Sequence, residues 1–368
     1  MIYRAIGLMS GSSLDGLDIV YAEIHENGGK WTYEIIYADC YTYSADWIER
    51  LQKSTTLNAL DYQLLHAEYG HYLGGQVNRF IEEHQLQYKV SLIGSHGHTT
   101  FHVPTKKMTA QLGDGAAIAA STKIPVVSDL RSMDIALGGQ GAPIVPIGEK
   151  LLLGDYDYFL NLGGIANISM NTGYDYIAFD VCAANRVLNM LCQELGREYD
   201  EGGKIAASGN LDEFLLETLG KLSYYQLPWP KSLANEFGTD TVYPLIQASA
   251  RGTADRLRTY TEHIAIQIVK SIEALKGFKT VDANKSQRLL VTGGGAFNTF
   301  LIARLQQLLS PLAIEVVVPG NNLIQYKEAL IMALIGVLRW REEINVLSSV
   351  TGASRNSVGG ALWNGQEA

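Results

Sequence analysis

The stretch Gly7-Leu8-Met9-Ser10-Gly11-Ser12-Ser13-Leu14-Asp15-Gly16-Leu17-Asp18 decides the fold. Ala5 to Met9 is a short apolar run and Ser10-Gly11-Ser12-Ser13 a tight polar turn. Asp18 to Ile24 then alternates toward a second strand. A turn of glycine and small hydroxyl residues presents free backbone N–H groups, which can cradle phosphate oxygens. It is not a Walker-type P-loop, because no GKS or GKT is present and no helix directly follows. Read as a cradle, it sets Gly11, Ser12, Ser13, Leu14, Asp15, Gly16, Leu17 and Asp18 against phosphate, with Asp15 or Asp18 near a metal. Carboxylates are hard oxygen ligands and suit Mg²⁺ held partly through water. Read plainly, it is a glycine-rich hairpin.

The same pattern returns near the middle of the chain. A second unit opens near Asp157, with Phe159-Leu160-Asn161-Leu162-Gly163-Gly164-Ile165-Ala166-Asn167-Ile168-Ser169 reading again as strand, glycine turn, strand. Residues 6–24 and 159–169 thus form a weak internal repeat. Tyr176 to Phe179 is a further strand that delivers Asp180 at its C-terminal end, ahead of a helix through Asn185 to Leu195. Open α/β sheets place ligand chemistry at such junctions. A carboxylate there can take a proton from a hydroxyl or from water, or it can cap the helix. Arg288 to Thr292 is a buried strand running into Gly293-Gly294-Gly295-Ala296-Phe297-Asn298 and another helix. Those glycines let a base or a phosphate approach the backbone, or they serve a packing turn.

Residues 58–87 carry helical periodicity, 90–94 form a buried strand, and Ser95-His96-Gly97-His98-Thr99-Thr100-Phe101-His102 reads as a loop. Its histidines suit polar substrate contacts first, structural hydrogen bonds second and a metal last. Arg131, in the polar loop Ser128-Asp129-Leu130-Arg131, can clamp a substrate carboxylate with its fork or pair with Asp134. Residues 211–219 and 245–276 are helical. The last helix spans Glu328 to Trp340, so Glu328 either favours the helix dipole or contacts substrate or metal. The expected division is an N-terminal α/β domain of residues 1–128, completed by 345–368, and a C-terminal α/β domain of residues 129–344. Two facing α/β units would hold a ligand in a central cleft.

The bulk numbers agree with such a protein. In 368 residues, 47% hydrophobic and 18% charged, there is no low-complexity block. The 37 glycines are about 10% of the chain against a usual level near 7%. A net charge of −9 argues against non-specific nucleic-acid binding, which runs on basic surface. Cys40, Cys182 and Cys192 show no metal-ligand spacing, which suggests a reducing compartment. Neither a signal-type apolar run nor a membrane-spanning one is present, so the expectation is cytoplasmic.

Taken together these residues resemble the anhydro-N-acetylmuramic acid kinase family over nearly the whole chain. The matching segments are GLMSGSSLDGLD at 7–18, SHGHTTFHVP at 95–104, LGDGAAIA at 112–119, SDLR, GGQGAPIVP, NLGGIANIS, FDVCAAN at 179–185, GGKIAASG, TGGGAFN, KEAL and VTGA. Their number and order carry the resemblance. It implies a fold of two actin-like (ribonuclease H-like) domains, the cofactors ATP and Mg²⁺, and a homodimer working in cell-wall recycling. Asp180 would activate water to attack the anomeric carbon of 1,6-anhydro-N-acetylmuramic acid while the ring-opened O6 takes the γ-phosphoryl group. The residues from Gly11 to Asp18, with Gly163 and Gly164, would handle phosphates, Asp15 touching the metal through water. Gly293, Gly294, Gly295 and Asn298 would meet the nucleotide. His98, Thr99, Arg131 and Glu328 would line the sugar. A kinase for another sugar and a non-catalytic ATP-binding regulator of the same fold are the alternatives.

Two segments depart from the family pattern. Val181-Cys182-Ala183-Ala184-Asn185 stands where Thr-Gly-Pro-Gly-Asn is usual, and Lys231-Ser232-Leu233-Ala234-Asn235-Glu236 where Lys-Ser-Thr-Gly-Arg-Glu is usual. The HGQT-type segment also reads HGHT here.

Overall fold

The computed structural model describes residues 1–11, 13–173, 175–229, 231–234, 236–278 and 286–366. Ser12 and Asn235 lie outside the described residues. The chain divides into two compact units, residues 1–153 with 326–368, and residues 154–325.

The first unit opens with β1 (Ile2–Ser10), β2 (Gly16–Asn27) and β3 (Lys30–Thr42), an antiparallel meander. β4 (Leu92–Ser95) then pairs parallel with β1. A separate hairpin follows, β5 (His98–Val103) with β6 (Met108–Leu112). β7 (Val126–Ser128) lies parallel to β4, and the C-terminal strand Ala361–Trp363 pairs antiparallel with β7. The main sheet therefore runs Ala361–Trp363, β7, β4, β1, β2, β3. The second unit contains β8 (Tyr158–Leu162), β9 (Ile165–Asn171), β10 (Tyr176–Ala183), β11 (Gln287–Thr292) and β12 (Ile314–Val317), ordered β10, β9, β8, β11, β12.

Both sheets follow one plan: three antiparallel strands in sequence, with the next two added parallel beside the first. That is the strand order expected of an actin-like, ribonuclease H-like pair. It establishes the weak sequence echo as a structural duplication.

The unit boundaries differ from the expected 128/129 and 344/345. Residues 129–153 stay with the first unit because their polar groups are satisfied there. Arg131 bonds His96, Asp134 bonds Thr351, and Glu149 forms an ion pair with Lys327 at 3.0 Å, both side chains buried. The last helix begins at Asn321 rather than Glu328. It lies directly on β1 and β4, which glycines permit. A Cβ on Gly7 would stand 1.8 Å from the carbonyl oxygen of Ala329, and one on Gly94 2.1 Å from that of Met332. Since the obstacle in each case is backbone, Gly94→Ala is expected to cost about 3 kcal/mol or more. That lowers the melting temperature by roughly 6–12 °C. An unchanged calorimetric midpoint would refute this packing.

Each unit has its own core. In the first it is built from Ile6, Leu8, Ile19, Tyr69, Leu73, Val77 and Phe80, the last four from the helix Ala59–Glu83. In the second, the helix Thr253–Leu275 buries Leu257, Tyr260, Ile264, Ile268 and Ile272 against β8–β10. No helix among the described residues is long and apolar enough to cross a membrane.

Candidate active site

In the first unit the turn after β1 is held by its own side chains. The Leu14 amide donates to the Gly11 carbonyl at 3.5 Å, with Leu14 at φ +58°. Asp15 Oδ1 accepts from Ser13 Oγ at 2.7 Å and from the Gly16 amide at 3.1 Å. Leu17 is buried core, so of this stretch it is a packing residue. Asp18, opposite Met9 and Cys40 in the sheet, has its carboxyl pushed up to about 6. Burial is the main cause; the Cys40 thiol opposes it, and the negative charges of Asp15 and Glu328 add to it. Asp15, Asp18 and Glu328 thus share one electrostatic neighbourhood. Glu328 sits about two turns inside its helix, too far from the N-terminus to favour the dipole. Among the described residues no three His, Cys, Asp or Glu side chains converge to cage a metal.

Of the histidine segment only His96 and Gly97 lie in a loop, between β4 and β5. His98 starts β5 and its hairpin with β6 extends through Val103. His98 is buried, and its Nδ1 lies 3.2 Å from Ser10 Oγ, which accepts from the Tyr43 hydroxyl at 2.8 Å. Tyr43 in turn meets the Tyr69 hydroxyl at 2.6 Å. Burial lowers His98 to about 4. With Tyr43 donating to Ser10, the serine proton can go to Nδ1, leaving Nε2–H as a free donor. Thr99 follows on the exposed side of the hairpin. His96 is paired instead with Arg131: Arg131 Nε and Nη2 reach its Nε2 at 3.0 and 2.7 Å, and Nη1 donates to the Gly141 carbonyl at 2.5 Å. Arg131 forms no direct ion pair with Asp134. Asp134 instead accepts from the Gly141 amide at 2.7 Å and from Thr351 Oγ1 at 2.6 Å. Glu328 acts electrostatically on Arg131.

In the second unit Asp180 does not end its strand. β10 continues to Ala183 through a bulge between Asp180 and Cys182, where the pairing with β9 shifts. Bulges of this kind re-aim side chains beside active sites. Asp180 does not cap the helix Asn185–Gln193, whose N-cap is Ala184. Its amide donates to the Lys231 carbonyl at 3.2 Å, its own carbonyl accepts from Tyr224 OH at 2.6 Å, and Oδ2 accepts from the Leu233 amide at 2.8 Å. Burial holds the carboxyl above its ordinary range, and the Leu233 bond partly opposes this. The two segments that depart from the family pattern therefore both flank Asp180.

The Gly163-Gly164 turn joins β8 to β9 and carries the start of the next helix. Gly164 accepts from the Ala184 amide at 2.8 Å and Gly163 from the Asn185 amide at 3.1 Å. A Cβ on Gly163 or Gly164 would meet nothing closer than 3.4 Å, so the turn stays open for another reason than protein packing. In the triple glycine the two readings divide by residue. A Cβ on Gly293 would meet Asn161 Oδ1 at 2.5 Å and one on Gly295 Leu162 Cβ at 2.6 Å, so these two are packing glycines. Gly294 is exposed and open. Asn298 caps the helix Thr299–Leu309 through the Leu301 amide at 3.0 Å, and so has a structural task independent of any nucleotide.

Sequence reasoning missed Ser10, Tyr43, His96, Tyr224 and Leu233. The bonds that matter at them, Tyr43 to Ser10, His96 to Arg131, and Tyr224 and Leu233 to Asp180, join positions 33 or more apart, so no local pattern marks them.

The family model described as anhydro-N-acetylmuramic acid kinase matches residues 3–365. A relative of that name from Synechococcus elongatus is 33% identical, over 98% of this chain and 99% of its own. One from Shewanella sediminis is 34% identical over 97% and 98%. Among solved structures, the activator of 2-hydroxyisocaproyl-CoA dehydratase from Clostridium difficile with bound ADPNP is 15% identical, with a TM-score of 0.40 over 93% of this chain and 96% of that one.

Proposed function

The chain belongs to the anhydro-N-acetylmuramic acid kinase family, and from that premise we propose how its residues perform the reaction. The enzyme uses ATP and water to open 1,6-anhydro-N-acetylmuramic acid and phosphorylate O6, giving N-acetylmuramic acid 6-phosphate and ADP. Asp180 is the general base. It takes a proton from water as the water oxygen bonds to the anomeric carbon; the bond from that carbon to O6 breaks, and O6 takes the γ-phosphoryl group. The observation that carries this reading is the carboxylate itself: half-buried, re-aimed by a bulge, held among the described residues through Oδ2, and raised in pKa by burial.

In the second unit the open backbone of Gly163, Gly164 and Gly294 is suited to a phosphate or a nucleotide, and in the first the turn at Gly11 and residues 13–16 is suited to phosphate. Asp15 and Asp18 offer hard oxygens that would hold Mg²⁺ largely through water, with Glu328 acting on Asp18 electrostatically. Bound there, Mg²⁺ would neutralise phosphate charge. His98 presents Nε2–H to the sugar, with Thr99 and Glu328 beside it, and Arg131 takes the sugar's carboxylate. A homodimer belongs to this reading and is checked by light scattering.

Mass spectrometry tests the assignment. With Mg-ATP and the anhydro sugar, the product should gain one water and one phosphoryl group, with one ADP released per sugar. Phosphorylation of an ordinary hexose in place of the anhydro sugar would overturn the substrate.

A further inference from the structure

We propose that His96 is the positioning residue of Arg131, a neutral acceptor that fixes the guanidinium without cancelling its charge. The inference rests on the reading of Arg131 as the contact for the substrate carboxylate.

The hydrogen bonds define the state of the ring. Arginine has donors only, so the Nε2 that receives both Nε–H and Nη2–H of Arg131 is unprotonated. The ring proton is then on Nδ1, which donates to the Gly97 carbonyl at 2.8 Å. The imidazole is 4% exposed, and burial with the adjacent guanidinium pushes it down to about 3, so it stays neutral at any working pH.

The opposite side of the guanidinium is fixed as well. Its Nη1 donates to the Gly141 carbonyl, and the Gly141 amide is tied to Asp134, which is fully buried and bound also by Thr351. His96 and Gly141, far apart in sequence, thus meet on the Arg131 side chain, and Thr351 braces them through Asp134. Of the five N–H groups of Arg131 three are used among the described residues, leaving one on each terminal nitrogen. Two parallel N–H groups are what a carboxylate accepts in a bidentate pair.

The choice of partner matters. An Asp or Glu in place of His96 would hold the fork equally well, but its charge would neutralise Arg131 and repel an anionic ligand. Glu328, and after it Asp134, act on Arg131 electrostatically, yet neither forms an ion pair with it among the described residues, and both oxygens of Asp134 are bound elsewhere. A neutral imidazole gives orientation and leaves the positive charge for the substrate.

Two amide replacements separate the roles of the ring nitrogens. His96→Gln keeps an acceptor near the Nε2 place, whereas His96→Asn removes it. KM and kcat are measured on 1,6-anhydro-N-acetylmuramic acid and on the carboxylate-free 1,6-anhydro-N-acetylglucosamine. His96→Asn is expected to raise KM for the acidic sugar by about tenfold or more, the size of a lost charge-assisted bond. Values of kcat, KM for ATP and KM for the carboxylate-free sugar should change little, and His96→Gln should recover most of the loss. Equal damage from both variants, or equal damage to both sugars, overturns the proposal. Arg131→Ala separates this from the underlying reading: if it leaves KM for the acidic sugar unchanged, the role of Arg131 fails and the inference with it. If only His96→Asn is silent, His96 alone loses its role. Should His96→Asn not fold, ¹⁵N spectra of imidazole-labelled wild type decide the matter. They should show one histidine with a bare Nε2 from about pH 5 to about pH 9; protonation of that nitrogen in this range overturns the proposal.

Discussion

Asp180→Asn is expected to lower turnover by roughly 10²-fold or more while leaving nucleotide binding and the fold intact. Asparagine keeps an oxygen for the Leu233 amide, and the backbone bonds of Asp180 to Lys231 and Tyr224 do not involve its side chain. What is lost is the capacity to take a proton from water. Because burial raises the Asp180 carboxyl above its ordinary value of 3.8, the wild type should lose activity as pH falls through that raised pKa. The base works only when ionised, so Asp180 contributes to the acid limb of kcat/KM together with Asp18, and the variant's residual activity should keep only the part due to Asp18. Single-turnover kinetics with nucleotide binding measured in parallel checks both points. Turnover within a few-fold of wild type would remove Asp180 from the role of base.

Asp18→Asn should separate stability from function. In the folded protein the Asp18 carboxyl titrates near 6 against an ordinary 3.8. Between those values the folded state binds more protons than the unfolded state, so this group's contribution to stability declines as pH rises through the window. Above about pH 6 the full cost is present, on the order of 2 kcal/mol after allowance for the partial exposure of Asp18. Asparagine removes the charge. In metal-free buffer the variant should therefore melt above wild type at pH 8, with the gap closing toward pH 4. Mg²⁺ added at pH 8 should raise the wild type and narrow the gap. Activity moves the other way: loss of a carboxylate from the metal's surroundings should lower kcat/KM by roughly 10²-fold or more. A gap that ignores pH, or an unchanged Mg²⁺ dependence, would contradict the assignment of this carboxylate.

The site was legible in part, and its residues show why. Asp180, His98, Arg131 and the glycine turns were visible because their chemistry is written in residue type and in position after a strand. The bulge at Asp180 was not visible, since a register shift of one residue leaves the alternation of Tyr176 to Ala183 almost unchanged. Nor could local pattern reveal that Gly293 and Gly295 pack against Asn161 and Leu162 while Gly294 stays open. A run of three glycines reads alike at each position, and the neighbours that distinguish them, Asn161 and Leu162, belong to a strand far earlier in the sequence. The histidines read as a loop because glycine and threonine interrupt them; cross-strand pairing with Met108–Leu112 puts His98 and His102 in a hairpin and leaves His96 in the loop before it.

The sequence by itself determined the family, the α/β class, the duplicated strand–turn–strand units and most of the chemical groups, because strand period, glycine turns and ordered motifs are local. The tertiary structure decided what the opening turn does. Gly7 and Gly94 allow the last helix to lie on β1 and β4, and that close approach brings Glu328 to Asp18 and Arg131. A carboxylate's pKa and the acceptor that aims an arginine depend on burial and on partners remote in sequence. Those are set only when the backbone has closed around them.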